Sequence, residues 1–228
     1  MSLDWSRIAA DLDERGSAIL PSLVAPEDCA ALARLYDDEA RFRSKVVMAH
    51  HGFGRGEYKY LSYPLPDRVA SLRQTLYPPL AAIANRWRAA LGMEQPFPDT
   101  LGAFLDRCHA AGQTRPTPLL LLYGEDDYNC LHQDLYGDLV FPLQATILLT
   151  KPGADFSGGE FVLTEQRPRM QSRAEVVTLG QGDGVVFAVN ERPVAGARGT
   201  YRVRMRHGVS RITGGRRMTL GIIFHDAQ

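Results

Sequence analysis

Residues 201–225, YRVRMRHGVSRITGGRRMTLGIIFH, contain two strand-like segments separated by a turn. In the first segment Val203 and Met205 alternate with arginines, as expected for a strand with one buried face. Thr213, Gly214 and Gly215 supply turn residues before the second, more apolar segment. This part of the chain therefore predicts antiparallel β-structure.

The same pattern extends back to residue 117, where short apolar segments are separated by Gly, Asp and Pro at regular spacing. Such spacing is typical of an antiparallel sandwich or barrel. The segments are PLLLLY (118–123), LQATILLT (143–150), GGEFVLTE (158–165), EVVTL (175–179), GDGVVFAV (182–189), YRVRMRHGV (201–209) and MTLGIIFH (218–225). We expect one domain over residues 1–228, with residues 117–228 forming a β-barrel catalytic core.

Residues 1–116 are expected to be mainly helical, to pack outside the barrel and to include a lid loop. A short apolar strand is predicted at residues 16–21. Residues 43–65 are predicted to form a flexible Gly-rich loop that regains order at residues 58–61, and residues 43–57 are the candidate lid. Helices are predicted over Asp4–Arg15, Pro26–Arg41 and Asp67–Leu91, the last broken at Pro78-Pro79.

Composition excludes several classes of protein. No apolar run approaches the roughly 20 residues of a membrane span, the first residues do not resemble a signal peptide, and we expect a soluble cytoplasmic protein without a membrane partner. Cys29, Cys108 and Cys130 are odd in number and far apart, which suggests neither a disulfide framework nor a zinc knuckle.

The net charge is zero, with 26 basic and 26 acidic residues, so no overall field attracts nucleic acid. However, residues 198–217 contain seven arginines and no acid. This arginine run has two readings that the sequence leaves open. It is either a solvated strand edge protected from aggregation or a surface for an anionic partner such as nucleic acid.

A candidate metal site lies in CLHQDLYGD, residues 130–138. On a strand His132 and Asp134 point to the same face, so an imidazole and a carboxylate can meet there. His207 is the best third ligand because it follows a strand in the same β-rich half, and two histidines with one carboxylate form the triad that holds non-haem iron(II). Taken alone, an H-x-D pair is a weak signal, and a turn with an Asx hydrogen bond would normally be favoured.

Three further residues form a candidate anion site. Arg217 lies ten residues after His207 and Thr219 follows on the same strand face, so a guanidinium and a hydroxyl can project together into the barrel. This pair suits a bidentate, charge-assisted contact with a carboxylate. Tyr123, on the preceding strand, can add a phenolic hydroxyl.

Together these motifs resemble those of the iron(II)- and 2-oxoglutarate-dependent dioxygenases, over about residues 117–226. The iron-binding H-x-D is matched by His132 and Asp134, the distal histidine by His207, and the R-x-S/T motif by Arg217 and Thr219. Tyr123, GGEF at residues 158–161 and GDGVVF at residues 182–187 are similar as well.

The resemblance implies an α+β fold whose core is a double-stranded β-helix, or jelly roll. It implies iron(II), 2-oxoglutarate as cosubstrate and dioxygen, with 2-oxoglutarate converted to succinate and carbon dioxide while a C–H bond is hydroxylated. The prolyl-hydroxylase-type subgroup places its basic residue at the same ten-residue distance from the distal histidine. The AlkB-like dealkylases are similar at Tyr123 and the H-x-D motif, but usually carry a second arginine for which little sequence remains after Arg217.

From the sequence we therefore expect hydroxylation of a protein residue or small molecule, ahead of dealkylation of methylated DNA or RNA. A non-catalytic jelly-roll binding module is the third possibility, although it would not need to retain three converging ligands. Candidate substrate contacts are Tyr58, Tyr60, Tyr136 and Asn129, and for the tyrosines ordinary packing at the barrel rim is the competing interpretation.

Overall fold

The computed structural model describes residues 3–197 and 199–228, so Arg198 of the arginine run lies outside the described residues. Within these residues the chain forms an α+β fold with four α-helices and fifteen strands. In chain order they are α1 (Trp5–Arg15), β1 (Ser17–Leu20), α2 (Pro26–Arg34), β2 (Phe42–Val47), β3 (Gly54–Arg55), β4 (Glu57–Leu61), α3 (Asp67–Ala90), α4 (Leu101–Ala110), β5 (Leu119–Tyr123), β6 (Tyr128–His132), β7 (Leu143–Leu148), β8 (Phe156–Gly158), β9 (Phe161–Gln166), β10 (Arg173–Val177), β11 (Gly184–Ala188), β12 (Glu191–Gly196), β13 (Gly199–Val209), β14 (Ile212–Gly215) and β15 (Arg217–Ile222).

Two antiparallel sheets form the jelly roll. The larger has the strand order β1-β11-β7-β15-β5-β4-β2, and the smaller has the order β10-β9-β13-β6-β3, with β12 paired to β13. The short strands β8 and β14 form a third pair. The crossovers between non-consecutive strands confirm the jelly roll expected from the motifs, and every segment predicted as a strand after residue 117 contributes to it.

Side chains of the larger sheet alternate between two buried faces. On β5, Leu120 joins the main hydrophobic core, whereas Tyr123 packs in a separate cluster on the inner face. This double burial explains why β15 is buried at all six positions, with Met218, Leu220 and Ile222 in the main core and Arg217 and Thr219 on the inner face.

The helices cover the outer face of the larger sheet, as predicted. Leu76, Leu80 and Trp87 of α3 share one core cluster with Ile147 of β7 and Leu220 of β15. The predicted break at residues 78–79 is wrong, because α3 continues through both prolines from Asp67 to Ala90. Packing of its apolar face against the sheet outweighs the hydrogen bonds that the prolines cannot donate.

The order predicted from Tyr58 onward is confirmed by β4, but the flexible loop predicted before it is wrong. Strands β2 and β4 pair with each other, and β4 pairs with β5, so this segment extends the larger sheet. Between them β3 pairs with β6, with Gly54 opposite Asn129. The glycine at position 54 allows β3 to lie close to β6, because a Cβ on Gly54 would lie 3.1 Å from the Asn129 Cα.

Two further differences concern helices. The predicted helix Pro26–Arg41 ends as α2 at Arg34 and continues as short 3-10 turns, and α4 was not predicted. Among the helices described, none combines the length and apolar character needed to cross a membrane.

Candidate active site

A cavity of about 370 Å³ lies between the two sheets. One end holds His132, Asp134 and His207, and Arg217 lines the wall contributed by β15. All three predicted metal ligands and all three predicted anion-site residues therefore belong to the same interior, although Tyr123 packs against the cavity residues rather than lining the cavity.

The two histidines of the predicted triad face each other across paired strands. His132 ends β6 and lies directly opposite His207 of β13. The Asp134 Oδ1 is 3.4 Å from the His132 Nε2, and its Oδ2 is 3.3 Å from the His207 Nε2. One ligand atom from each residue lies within 4.8 Å of the others, which suits a single ion.

The backbone fixes the orientation of His132. Its Nδ1 lies 2.7 Å from the Cys130 carbonyl, which can only accept a hydrogen bond, so Nδ1 carries the proton. Nε2 consequently faces Asp134 and the centre of the triad, where it donates to the carboxylate when protonated and can bind a metal when neutral. The sequence spacing predicted the face of the strand but not this hydrogen bond.

The charges within the triad are arranged for metal binding. Burial disfavours the Asp134 carboxylate, but hydrogen bonds from His132 and His207 outweigh it and hold the pKa of Asp134 well below its ordinary value. Burial lowers the pKa of His207, whereas for His132 the contacts with Asp134 overcome burial and raise its pKa. The site thus offers an ionised carboxylate and a neutral His207, both in the form that binds a metal.

Tyr136 supports the triad through a hydrogen bond to Asp134. Its hydroxyl donates a 2.8 Å hydrogen bond to the Asp134 Oδ1. Burial, followed by the negative charge of Asp134, raises the pKa of Tyr136, so the phenol stays protonated and remains a donor. This contact gives Tyr136 a role in orienting a ligand, a different role from the predicted substrate contact.

An irregularity in β6 brings Asn129 to the cavity. Asn129 pairs with Val209 and His132 pairs with His207, so three steps along β6 match two along β13. Such a bulge lets residues three apart face the same side. Gly208 lies opposite the bulge, and a Cβ there would come within 2.6 Å of the Asn129 carbonyl oxygen. The Asn129 side chain then donates to the Tyr123 hydroxyl at 3.3 Å.

Arg217 is a buried guanidinium with free hydrogen-bonding capacity. The side chain is 2% exposed, and its Nε and Nη1 atoms have no hydrogen-bond partner among the described residues. Its Cζ lies 5.8 Å from the centre of the Tyr123 ring, and burial lowers the pKa of Arg217 to about 10. An arginine remains charged at neutral pH even so, and this one lacks an anion.

Gly159 leaves the space through which Arg217 passes. Its φ is +66°, and a Cβ at this position would lie 2.9 Å from the Arg217 Cδ. The GGEF motif therefore has a structural reason beyond the bend that the paired glycines allow.

The remaining predicted residues divide between cavity and wall. Thr219 and Tyr58 line the cavity, as does Tyr136. Tyr60 does not line it, and instead packs edge-on against Tyr58 and Tyr136 with the Arg43 guanidinium 4.4 Å from its ring centre. The structure thus favours ordinary packing for Tyr60.

Two polar residues of the cavity were missed by the sequence analysis. Gln144 and Thr146 are buried on β7 and both line the cavity. Their signal was present, since two polar residues stand at alternate positions in the otherwise apolar segment LQATILLT. We interpreted that segment only as a core strand.

The arginine run separates into residues with different surroundings. Arg202 pairs with Glu191 at 3.1 Å and Arg211 pairs with Asp126 at 2.7 Å, whereas Arg217 is buried. Arg204 and Arg206 are exposed on β13, and among the described residues neither forms a salt bridge.

Solved structures share the fold. A Pseudomonas putida prolyl-4-hydroxylase is 14% identical with a TM-score of 0.53, covering 98% of this chain and 99% of that one. An oxidoreductase of the 2OG-Fe(II) oxygenase family from Burkholderia pseudomallei is 18% identical with a TM-score of 0.53, covering 100% and 94%. The non-heme α-ketoglutarate-dependent epimerase SnoN from nogalamycin biosynthesis is 16% identical with a TM-score of 0.58, covering 95% and 80%.

Sequence comparisons identify the family. Two uncharacterized proteins of Mycobacterium tuberculosis, from strains CDC 1551 / Oshkosh and ATCC 25618 / H37Rv, are each 54% identical over 164 residues, which is 72% of this chain and 70% of each relative. The model of the Oxygenase-NA family, described as "Oxygenase, catalysing oxidative methylation of damaged DNA", matches residues 56–227. The chain therefore belongs to this oxygenase family, and is an oxidoreductase built on the jelly roll of the iron(II)- and 2-oxoglutarate-dependent oxygenases.

Proposed function

We propose that this oxygenase uses iron(II) and 2-oxoglutarate to oxidise an N-methyl group on a base of single-stranded nucleic acid. The observation that carries the cofactor assignment is a single cavity that joins a His-Asp-His triad to an unpartnered buried arginine. The substrate assignment depends on features of the cavity mouth and the surface, together with the family description.

The triad fits iron(II) by its chemistry. Two imidazoles and one carboxylate form the donor set of non-haem iron sites that keep coordination positions open. His132, Asp134 and His207 offer this set within 4.8 Å, and Tyr136 fixes the carboxylate. A zinc site of four protein ligands is disfavoured, because no fourth His, Cys, Asp or Glu joins this group among the described residues.

Arg217 fits the far carboxylate of 2-oxoglutarate. A buried guanidinium without hydrogen-bond partners costs free energy unless an anion satisfies it, and a carboxylate matches its planar pair of donors. Thr219, 2% exposed and two residues further along β15, can add a hydroxyl donor. Phe156, with its ring centre 5.9 Å from the Arg217 Cζ, keeps this part of the cavity apolar and strengthens the charge pair.

When bound, iron(II) and 2-oxoglutarate would supply an oxidant from dioxygen, with release of succinate and carbon dioxide. The chain's own residues hold the metal, hold the cosubstrate by its far carboxylate, and line the cavity with apolar groups that exclude water. Phe187 and Phe161 pack against the His207 ring, with ring centres at 4.6 and 6.1 Å, and shield that ligand from solvent.

The cavity mouth carries an aromatic surface suited to a base. Phe53 lines the cavity, is 48% exposed and stacks on His51 with ring centres 5.2 Å apart. Its carbonyl accepts a hydrogen bond from the Cys130 amide at 2.9 Å, which anchors the ring's backbone to β6. Base–aromatic stacking of this kind contributes about 1–3 kcal/mol per base.

Arg204 and Arg206 are suited to the phosphate backbone. They project from the exposed face of β13, opposite to the buried face on which His207 lines the cavity. They are exposed and have no acidic partner among the described residues, so both charges remain available to an anionic chain. We infer that this part of the arginine run contacts phosphates while the methylated base enters the cavity.

The family description names damaged DNA. Whether the enzyme adds or removes a methyl group follows from the chemistry of an oxygenase. An oxygenase inserts an oxygen atom into a C–H bond. An N-methyl group so oxidised becomes N-hydroxymethyl, which breaks its N–C bond and releases formaldehyde with a proton returned to nitrogen. We therefore propose removal of the methyl group.

Hydroxylation of a protein residue or small molecule is the second candidate. It is favoured by the zero net charge and by the pairing of Arg202 and Arg211 with acids, which reduces the charge available for phosphates. We rank it second because it gives no role to the exposed Phe53 ring or to Arg204 and Arg206.

Succinate and formaldehyde production can test the proposal. The protein would be supplied with iron(II), 2-oxoglutarate and either methylated single-stranded DNA, the same strand without methyl groups, or proline-containing peptides, at two salt concentrations. We expect both products only with the methylated strand, and weaker stimulation at the higher salt concentration. Stimulation by peptides alone would favour hydroxylation and refute the nucleic-acid substrate.

Charge variants test the surface separately. The double variant Arg204→Glu and Arg206→Glu should bind single-stranded DNA more weakly. The dependence of its affinity on salt concentration should fall by the amount expected for about two lost phosphate contacts. Arg34→Glu, on the exposed end of α2, is the matched control and should bind as the wild type does. Equal affinity in the double variant and the control would show that phosphates bind elsewhere.

A further inference from the structure

Gln144 is a polar residue in a position where an apolar one would be expected. All six residues of β7 are buried, and Ala145 and Ile147 on its outer face belong to the main hydrophobic core. Gln144 faces the opposite way, is 5% exposed and lines the cavity. Its carboxamide is therefore presented to the interior of the barrel.

Strand register locates Gln144 along the cavity. It pairs with Phe187, whose ring centre lies 4.6 Å from that of the metal ligand His207. On the same strand Leu148, opposite Thr219, is four residues away, or about 13 Å in an extended strand. Gln144 therefore lies beside the triad. It is displaced from the end of the cavity that holds Thr219, where Arg217 would bind 2-oxoglutarate.

Its oxygen has no partner in the protein. The Gln144 Oε1 is buried and accepts no hydrogen bond among the described residues. Such an atom destabilises the folded chain unless a ligand satisfies it. Arg217 also carries unpartnered buried atoms in this cavity, but the far carboxylate of the cosubstrate would satisfy them. Neither the metal nor that carboxylate accounts for the Gln144 oxygen.

We propose that Gln144 binds the prime substrate, accepting a hydrogen bond from an N–H or O–H group beside the carbon that is oxidised. This inference rests on the proposed function. Gln144 would select substrates that carry a hydrogen-bond donor within about one residue length of the reacting methyl group, as the edge of a nucleobase does. A carboxamide also carries two N–H donors, so it can recognise a donor and an acceptor together.

A role for Gln144 in holding 2-oxoglutarate makes a different prediction. In that case its loss would weaken cosubstrate binding whether or not a substrate is present. If it binds the substrate, the cosubstrate affinity and the rate of succinate production without substrate should stay unchanged, and only the response to substrate should be lost.

The test compares Gln144→Leu with Gln181→Leu, a matched change at a side chain that bonds the Leu149 carbonyl and does not line the cavity. Three quantities are measured: the visible band of the iron(II)–2-oxoglutarate chelate during titration, substrate-free succinate production, and KM and kcat for a methylated single-stranded oligonucleotide. Anaerobic binding of the same oligonucleotide, followed by fluorescence anisotropy with Mn(II) in place of iron(II), gives a readout that does not require turnover.

We expect Gln144→Leu to keep the band and the substrate-free rate, and to weaken oligonucleotide binding and raise KM by roughly tenfold, the effect of one lost hydrogen bond to a buried group. Gln181→Leu should match the wild type throughout. Gln144→Met, unbranched and similar in length, repeats the measurement if leucine disturbs the wall.

Two results would overturn the inference while leaving the proposed function standing. One is wild-type affinity and KM in both Gln144 variants, and the other is a loss of cosubstrate affinity that accounts for the whole defect. A wild-type protein that forms the chelate but neither binds nor oxidises the methylated oligonucleotide would instead refute the proposed substrate, and the role of Gln144 with it.

Discussion

Replacing Arg217 with alanine should weaken 2-oxoglutarate binding by roughly 30-fold or more. Removing one member of a buried, hydrogen-bonded charge pair costs about 2–5 kcal/mol. The lower end is the minimum here, because the free wild type bears the cost of burying Nε and Nη1 without partners and recovers it when the carboxylate binds. About 2 kcal/mol corresponds to roughly 30-fold in affinity, since 1.4 kcal/mol is tenfold.

The neighbouring Arg216 provides a matched control. It is exposed and points to the opposite face of the strand, so Arg216→Ala should change the affinity by less than about twofold. Titration of the anaerobic iron(II) protein with 2-oxoglutarate, followed by the chelate band or by calorimetry, measures both variants. Equal losses, or a larger loss in Arg216→Ala, would refute the assignment of the strand face.

The same substitution makes a second, less usual prediction about stability. Without cosubstrate, Arg217→Ala removes a buried cation that has no hydrogen-bond partner among the described residues. The loss of packing is therefore offset, and the unfolding temperature should fall little or even rise. In the presence of saturating 2-oxoglutarate the wild type should gain stability and the variant should not. A variant that is strongly destabilised without ligand would mean that Arg217 has a structural partner.

Three further predictions concern the metal end and its support. His132→Ala and Asp134→Ala should abolish the iron(II)–2-oxoglutarate band, and an undiminished band in either would exclude the triad. Tyr136→Phe should preserve the fold but weaken iron(II) binding by roughly tenfold, the effect of one hydrogen bond to a charged group, as measured by metal titration. Gly159→Ala should weaken 2-oxoglutarate binding although Gly159 does not itself line the cavity. A Cβ at φ +66° would displace the Arg217 side chain. Wild-type affinity in that variant would contradict the close approach of Gly159 to Arg217.

The sequence predicted the barrel strands and the triad because both depend on local periodicity. His132 and Asp134 were paired by their spacing, although β6 ends at His132 and Asp134 follows the strand, and His207 lies on the alternating strand β13. Arg217 was found in the same way, from its distance to His207. Each of these signals is contained in a few consecutive residues, so neither long-range pairing nor register was needed to recognise them.

Other features depend on contacts between distant segments and left weaker signals. Pro78 predicted a helix break that packing against the sheet overrides, and Gly54 suggested a loop where it allows β3 to approach β6. The bulge that turns Asn129 inward exists only through the pairing of β6 with β13. The polar Gln144 was visible in the sequence, but its position beside the triad follows from its register with Phe187.

The distribution of unsatisfied polar atoms links stability to function. Among the described residues seven buried side-chain atoms lack a hydrogen-bond partner, and three of them, the Gln144 Oε1 and the Nε and Nη1 of Arg217, belong to residues that line one cavity. Stability alone would favour apolar side chains at these positions, because each unpartnered group costs free energy on folding. A ligand that satisfies them recovers this free energy on binding. Affinity for the cosubstrate and the substrate therefore depends on polar groups that the fold buries and leaves without partners among the described residues.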